Sequence, residues 1–81
     1  MNTADVLKRT GIPREKLYYL EQKGYISPRK IYVGEKAFRE FDEIDVRLIH
    51  WIWTYLKEGF RYRIAYEKAL KKVEGKKRGD G

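Results

Sequence analysis

Arginine and lysine interleaved with tyrosine is residue chemistry suited to a polyanion, and this chain concentrates it between Pro13 and Gly24 as Arg14, Lys16, Tyr18, Tyr19 and Lys23. Guanidinium and ammonium groups donate to phosphate oxygens, a guanidinium fork also matches the major-groove edge of guanine, and a phenol hydroxyl can hold a phosphate. At helical spacing Arg14, Tyr18 and Gln22 form one row, with Glu15, Tyr19 and Lys23 beside it, while Leu17, Leu20 and Gly24 fall on the opposite side. The outward rows predict DNA contact by Arg14, Tyr18 and Tyr19, with Arg14 as the reader of base edges, and the turn motif adds Lys16 as a further contact. Glu15 fits a simpler role, as an anion near a helix N-terminus. A second basic group, Arg29, Lys30, Lys36 and Arg39, surrounds Gly34 and reads as phosphate-facing charge on a hairpin.

Other chemistries find no residues to carry them. There is no cysteine, so no thiolate metal site or disulfide framework is expected, and His50 is the only histidine. No nucleophile has a neighbouring base and no glycine-rich phosphate loop occurs, so neither an enzyme nor a bound cofactor is expected. Arg61 and Arg63, after Gly59-Phe60, are further candidates for phosphate contact. Trp51 and Tyr55 read as boundary core or as a partner surface.

Positioning these residues requires a particular order of elements. Asn2 or Thr3 can cap a first helix that ends near Thr10 and buries Val6 and Leu7. Gly11 makes a tight turn, and Pro13 suits the first turn of a second helix because its missing N–H has no intrahelical partner there. Two short helices joined by a few residues containing glycine have the spacing of a helix-turn-helix. Gly24 closes the second helix, Pro28 disfavours helix at Ser27, and the runs 30–33 and 37–41 predict a hairpin, or wing. Phe38 and Phe41 are expected in the core beneath it. Asp42 with Asp45 forms a capping box for a third helix, whose core stripe is Val46, Ile49, Trp53, Leu56 and Phe60 with Ile52 alongside. A fourth helix from Tyr62 to about Val73 carries a narrower line of Ala65, Ala69 and Val73. The reading is a mainly α fold, a winged helix-turn-helix of about four helices and a two-stranded hairpin. Residues 1–73 form the domain, and 74–81 form a basic tail expected to be disordered.

Composition is in keeping with this. Nineteen lysines and arginines against twelve aspartates and glutamates give a formal net charge of +7 over 81 residues, which favours a nucleic acid first and an acidic membrane surface second. No secretory signal is visible. The most hydrophobic window, Leu48 to Leu56, has about half the ~20 residues of a membrane span, so a cytoplasmic protein is expected.

In this order, the motifs resemble the DNA-binding domain of MerR-type transcription regulators across nearly the whole chain. Val6 with Lys8-Arg9-Thr10-Gly11 is similar to that domain's first helix and turn. Leu17, Tyr19, Glu21 and Gly24 fall where its recognition helix has Leu, Tyr, Glu and Gly. Phe38-Arg39 with Phe41 resembles its wing strand, and Asp45 and Gly59-Phe60 match the ends of its third helix. Pro13 stands in place of the usual Ser or Thr cap, Tyr18 where Arg or His is common, and Ala37 in place of the wing glycine. The resemblance implies that Tyr19 and Arg39 hold DNA phosphates while the exposed side of the second helix reads bases.

The partner implied is double-stranded DNA, in transcriptional control. Members of that family usually continue into a long dimerising helix and an effector domain. The basic tail here predicts instead a monomer in solution, with any cooperation arising on DNA. Two other readings accompany this one: an excisionase-like architectural factor in recombination, packaging or chromosome organisation, and a protein-interaction module using the aromatic third helix. Arg14 and Arg39 are both expected on open surface, so that substituting either would hardly move thermal stability.

Overall fold

A computed structural model describes the backbone of residues 1–77 and the side chains of residues 1–74. The chain runs α1 (Thr3–Thr10), α2 (Arg14–Gln22), β1 (Arg29–Val33), β2 (Lys36–Glu40), α3 (Glu43–Lys57) and α4 (Tyr62–Lys77). This is a mainly α fold, a winged helix-turn-helix with one antiparallel hairpin.

Local chemistry explains where each helix starts and stops. The Asn2 side chain accepts the Asp5 N–H at 2.8 Å while Asp5 accepts the Asn2 N–H, a reciprocal cap that satisfies donors left over at the helix start. Asp42 and Asp45 repeat the device at the head of α3. Burial raises the pKa of Asp45 above its ordinary value, and the nearby Asp42 adds to the effect against the lowering pull of the Asp42 N–H. Between α1 and α2 the backbone turns through Gly11 at φ 79°, where its N–H reaches the Leu7 carbonyl at 2.9 Å. An L side chain is strained in that left-handed conformation. Pro13 lies one position earlier than expected. It is the N-cap of α2, with extended backbone and no side-chain cap of its own.

The wing closes through Gly34-Glu35, with Val33 paired to Lys36. Gly34 has φ 63° and Glu35 does not share the positive φ, which suits a two-residue hairpin turn with glycine first. The register pairs Arg29 with Glu40, Lys30 with Arg39, Ile31 with Phe38, and Tyr32 with Ala37. Directly paired residues share a face, so Lys30, Tyr32, Ala37 and Arg39 lie on one side, and Arg29, Ile31, Val33, Lys36, Phe38 and Glu40 on the other.

The core gathers Val6, Ile12, Leu17, Leu20, Ile26, Phe41, Val46, Ile49, Ile52, Ala65 and Ala69. α3 packs on both α4 and α1. Ala65 and Ala69 are fully buried, and small side chains at these positions allow α4 to approach α3 closely.

Several expectations change here. Ile52 is central to the α3 stripe, Trp53 and Leu56 are half-buried, and Phe60 is exposed because the chain has already left the helix through Gly59. Phe41, just past β2, is buried, but Phe38 is exposed because the hairpin projects from the core with residues of both faces open, Tyr32 as well as Phe38. α4 continues to Lys77, so the expected start of the tail at 74 falls inside the helix, and residues 78–81 lie outside the described residues. No helix among the described residues is long and apolar enough to cross a membrane.

Candidate nucleic-acid interface

Leu17 and Leu20 hold α2 on the core, and its outward side divides into two groups. The first faces the wing. Arg14 Nη1 donates to the Tyr18 hydroxyl at 3.1 Å, and the Arg39 guanidinium lies 5.5 Å from the Tyr18 ring centroid. Arg39 Nε donates to Glu21 Oε1 at 2.6 Å, and Lys30 Nζ lies 3.9 Å from the other carboxylate oxygen. Glu21 sits one helical step beyond Tyr18, and the hairpin register brings Lys30 and Arg39 to that same side. One carboxylate therefore ties the wing to α2 through two cations, leaving the cluster with positive charge.

This arrangement fixes geometry for contact with an anion. Because Tyr18 accepts from Arg14, its own hydroxyl proton points elsewhere and can be donated to a phosphate or base acceptor. Arg39 uses Nε on Glu21 and retains its terminal N–H groups for a second acceptor. A cation held by a carboxylate loses less side-chain freedom on binding than one waving in solvent.

The second group faces α4. The Tyr19 ring lies 4.5 Å from that of Tyr62. Lys16 Nζ stands 6.0 Å from the Tyr62 ring, and Lys23 Nζ 5.7 Å from the Tyr19 ring. Lys16, expected to contact DNA, is half-buried there. Tyr19 keeps an exposed edge while its ring packs between helices.

The structure thus brings together Arg14, Tyr18, Lys30 and Arg39. Lys16 and Tyr19 lie beside them on the α4 flank. Arg29 and Lys36 stand apart, on the opposite hairpin face, because strand alternation separates them from Lys30 and Arg39. Two residues that matter here were named in the sequence reading, Glu21 as a match to the family's recognition helix and Tyr62 as the start of a helix, without any contact being assigned to either. Glu21 had a weak signal, being the acidic residue one helical step from Tyr18. Tyr62 had none, since its meeting with Tyr19 depends on how α4 returns across the core.

The aromatic surface of α3 has a different character. Trp51 and Tyr55 lie 6.0 Å apart and Tyr55 and Phe60 5.8 Å. Lys72 Nζ stands 4.8 Å from the Trp51 ring, and Lys68 Nζ 4.8 Å from Phe60. The lysines of α4 therefore cover the rings by cation–π contact. A shallow hollow between α1 and α3 is lined by Arg9, Thr10, Glu43, Val46, Arg47 and His50. Among the described residues no group of three or more His, Cys, Asp or Glu side chains could hold a metal ion. No protein-family model and no curated protein matches this chain.

Proposed function

We propose that this chain binds double-stranded DNA in the manner of a MerR-type domain, with α2 in the major groove and the wing across the adjacent backbone, and acts in transcriptional control. The observation that carries this reading is the Arg14–Tyr18 and Arg39–Glu21–Lys30 network, which joins α2 and the wing on the side opposite Leu17 and Leu20. An α-helix with its side chains is about 10–12 Å across, a width that suits a major groove about 12 Å wide. Arg14 and Tyr18 reach base edges, while Lys30, Arg39 and Tyr19 hold phosphates and set the register.

The test is duplex binding across a salt series. About four to six phosphate contacts give a log–log slope of roughly −4 to −5. A slope near zero removes the DNA reading. Selection from a random duplex pool then separates the roles: a sharp motif marks a regulator, and a loose preference for bend-prone sequence marks an architectural factor.

A further inference from the structure

Arg14 stands where it does little for the fold. It opens α2, whose N-cap Pro13 makes no side-chain bond, and a cation in the first turn opposes the helix dipole. Among the described residues no carboxylate pairs with it. Its one side-chain hydrogen bond goes to a neutral group, the Tyr18 hydroxyl at 3.1 Å. The guanidinium therefore keeps its full charge and most of its N–H donors open.

That bond also fixes the polarity of Tyr18. A phenol oxygen that accepts from a guanidinium is left with its proton to give, and no group among the described residues takes that proton. A second guanidinium, that of Arg39, lies 5.5 Å from the centre of the ring. Cations thus flank the phenol at its hydroxyl and at its ring, and a hydroxyl polarised in this way is a stronger donor.

We propose that Arg14 and Tyr18 act as one unit that selects a guanine beside a base presenting an acceptor, and rejects cytosine at that second position. The proposal rests on the DNA-binding reading, which puts this row of α2 in the major groove.

The donor and acceptor pattern of the base edges carries the argument. Guanine offers two acceptors, N7 and O6, to a guanidinium fork, whereas adenine sets an amino donor beside its N7. The hydroxyl is 3.1 Å from Nη1, close to the ~3.4 Å rise per base pair, so with the guanidinium on one base it stands level with the next. On that strand guanine, adenine and thymine each present an acceptor, while cytosine presents its amino donor. Two donors cannot bond, and the hydroxyl cannot turn to accept, because Arg14 already fills that role. Tyr18 is then a specificity-determining residue that brings no charge of its own to general affinity.

The test uses duplexes built on a site selected from the random pool. Guanines are replaced one at a time by 7-deazaguanine, and each flanking base pair is varied through all four bases. Wild type should lose about five- to tenfold on 7-deazaguanine at one position, and bind cytosine at one flank about fivefold more weakly than the other bases. Tyr18→Phe should bind all four bases at that flank alike, with guanine still preferred and with the melting temperature and salt slope unchanged. Arg14→Ala should lose both preferences, since the Tyr18 oxygen is then free to accept from cytosine. A Tyr18→Phe protein weaker by the same factor on every sequence would put the hydroxyl on a phosphate. That result, undiminished exclusion of cytosine, or a pool with no preferred guanine overturns the inference and leaves the DNA reading intact. Failure of the wild type to bind any duplex at low salt overturns the DNA reading, and the inference falls with it.

Discussion

Arg39→Ala should destabilise the fold as well as weaken DNA binding, contrary to the expectation for an arginine on open surface. Its Nε donates to Glu21 at 2.6 Å, and the two side chains are 36% and 18% exposed. Hydrogen bonds to charged groups contribute about 1.5–3 kcal/mol. The exposure of Arg39 lets solvent screen the pair, which puts the expected loss at the low end, ~1.5 kcal/mol. In a domain of this size each kcal/mol moves Tm by about 4–8 °C, so a fall of roughly 6–12 °C is expected. The substitution leaves the half-buried Glu21 with Lys30 at 3.9 Å as its remaining cation. Adding Glu21→Gln removes the stranded charge, so the double variant should melt above Arg39→Ala alone. Circular dichroism melts of the wild type, both single variants and the double variant give a coupling energy of about 1 kcal/mol, reduced in 1 M salt. Duplex titrations of the same proteins should show Arg39→Ala weaker on all sequences alike, with the salt slope lowered by about one. A wild-type melting temperature for Arg39→Ala, with zero coupling to Glu21, would refute the reasoning.

Arg14→Ala should behave differently. Arg14 is exposed and leads the outward row of α2, so its loss should cost about 1–3 kcal/mol on a preferred site and relax discrimination there. Titration of preferred against scrambled duplexes checks this, and an unchanged preference contradicts it. Ile52→Ala opens a cavity at a fully buried position of α3 in the core. The expected cost of about 2–5 kcal/mol is enough to unfold much of a small domain at ambient temperature, as urea melts would reveal. Asp45 has a raised pKa in the fold, chiefly from burial, so the folded state binds its proton more tightly than the unfolded state does. Its ionisation therefore costs stability as pH rises from the ordinary value near 3.8 through the higher folded value, with no cost below that window. Asp45→Asn should lack this component, and the difference between the two melting profiles should grow across that window and then level off.

The parts of the fold legible from sequence are those governed by a few neighbouring residues. Asn2 with Asp5 and Asp42 with Asp45 cap helices because side chain and backbone meet within three positions. Gly11, Gly24 and Gly59 mark left-handed exits, a backbone property of glycine itself. The row Arg14, Tyr18, Gln22 follows from helical periodicity, and the hairpin follows from two strand-forming runs around Gly34. Which side of each element finds a partner was decided only by the tertiary structure. A strand presents alternate faces, so its sequence does not say whether Phe38 or Phe41 goes inward, or that Arg29 and Lys36 part company with Lys30 and Arg39. On α3, Ile52 is fully buried in the same core cluster as Ala65 and Ala69 of α4, the helix that packs on α3. The bond from Arg39 to Glu21 and the packing of Tyr19 on Tyr62 join residues far apart in the chain. Such contacts depend on how whole elements stack, and that stacking is settled by the burial of the entire core at once, with no local signal to announce it.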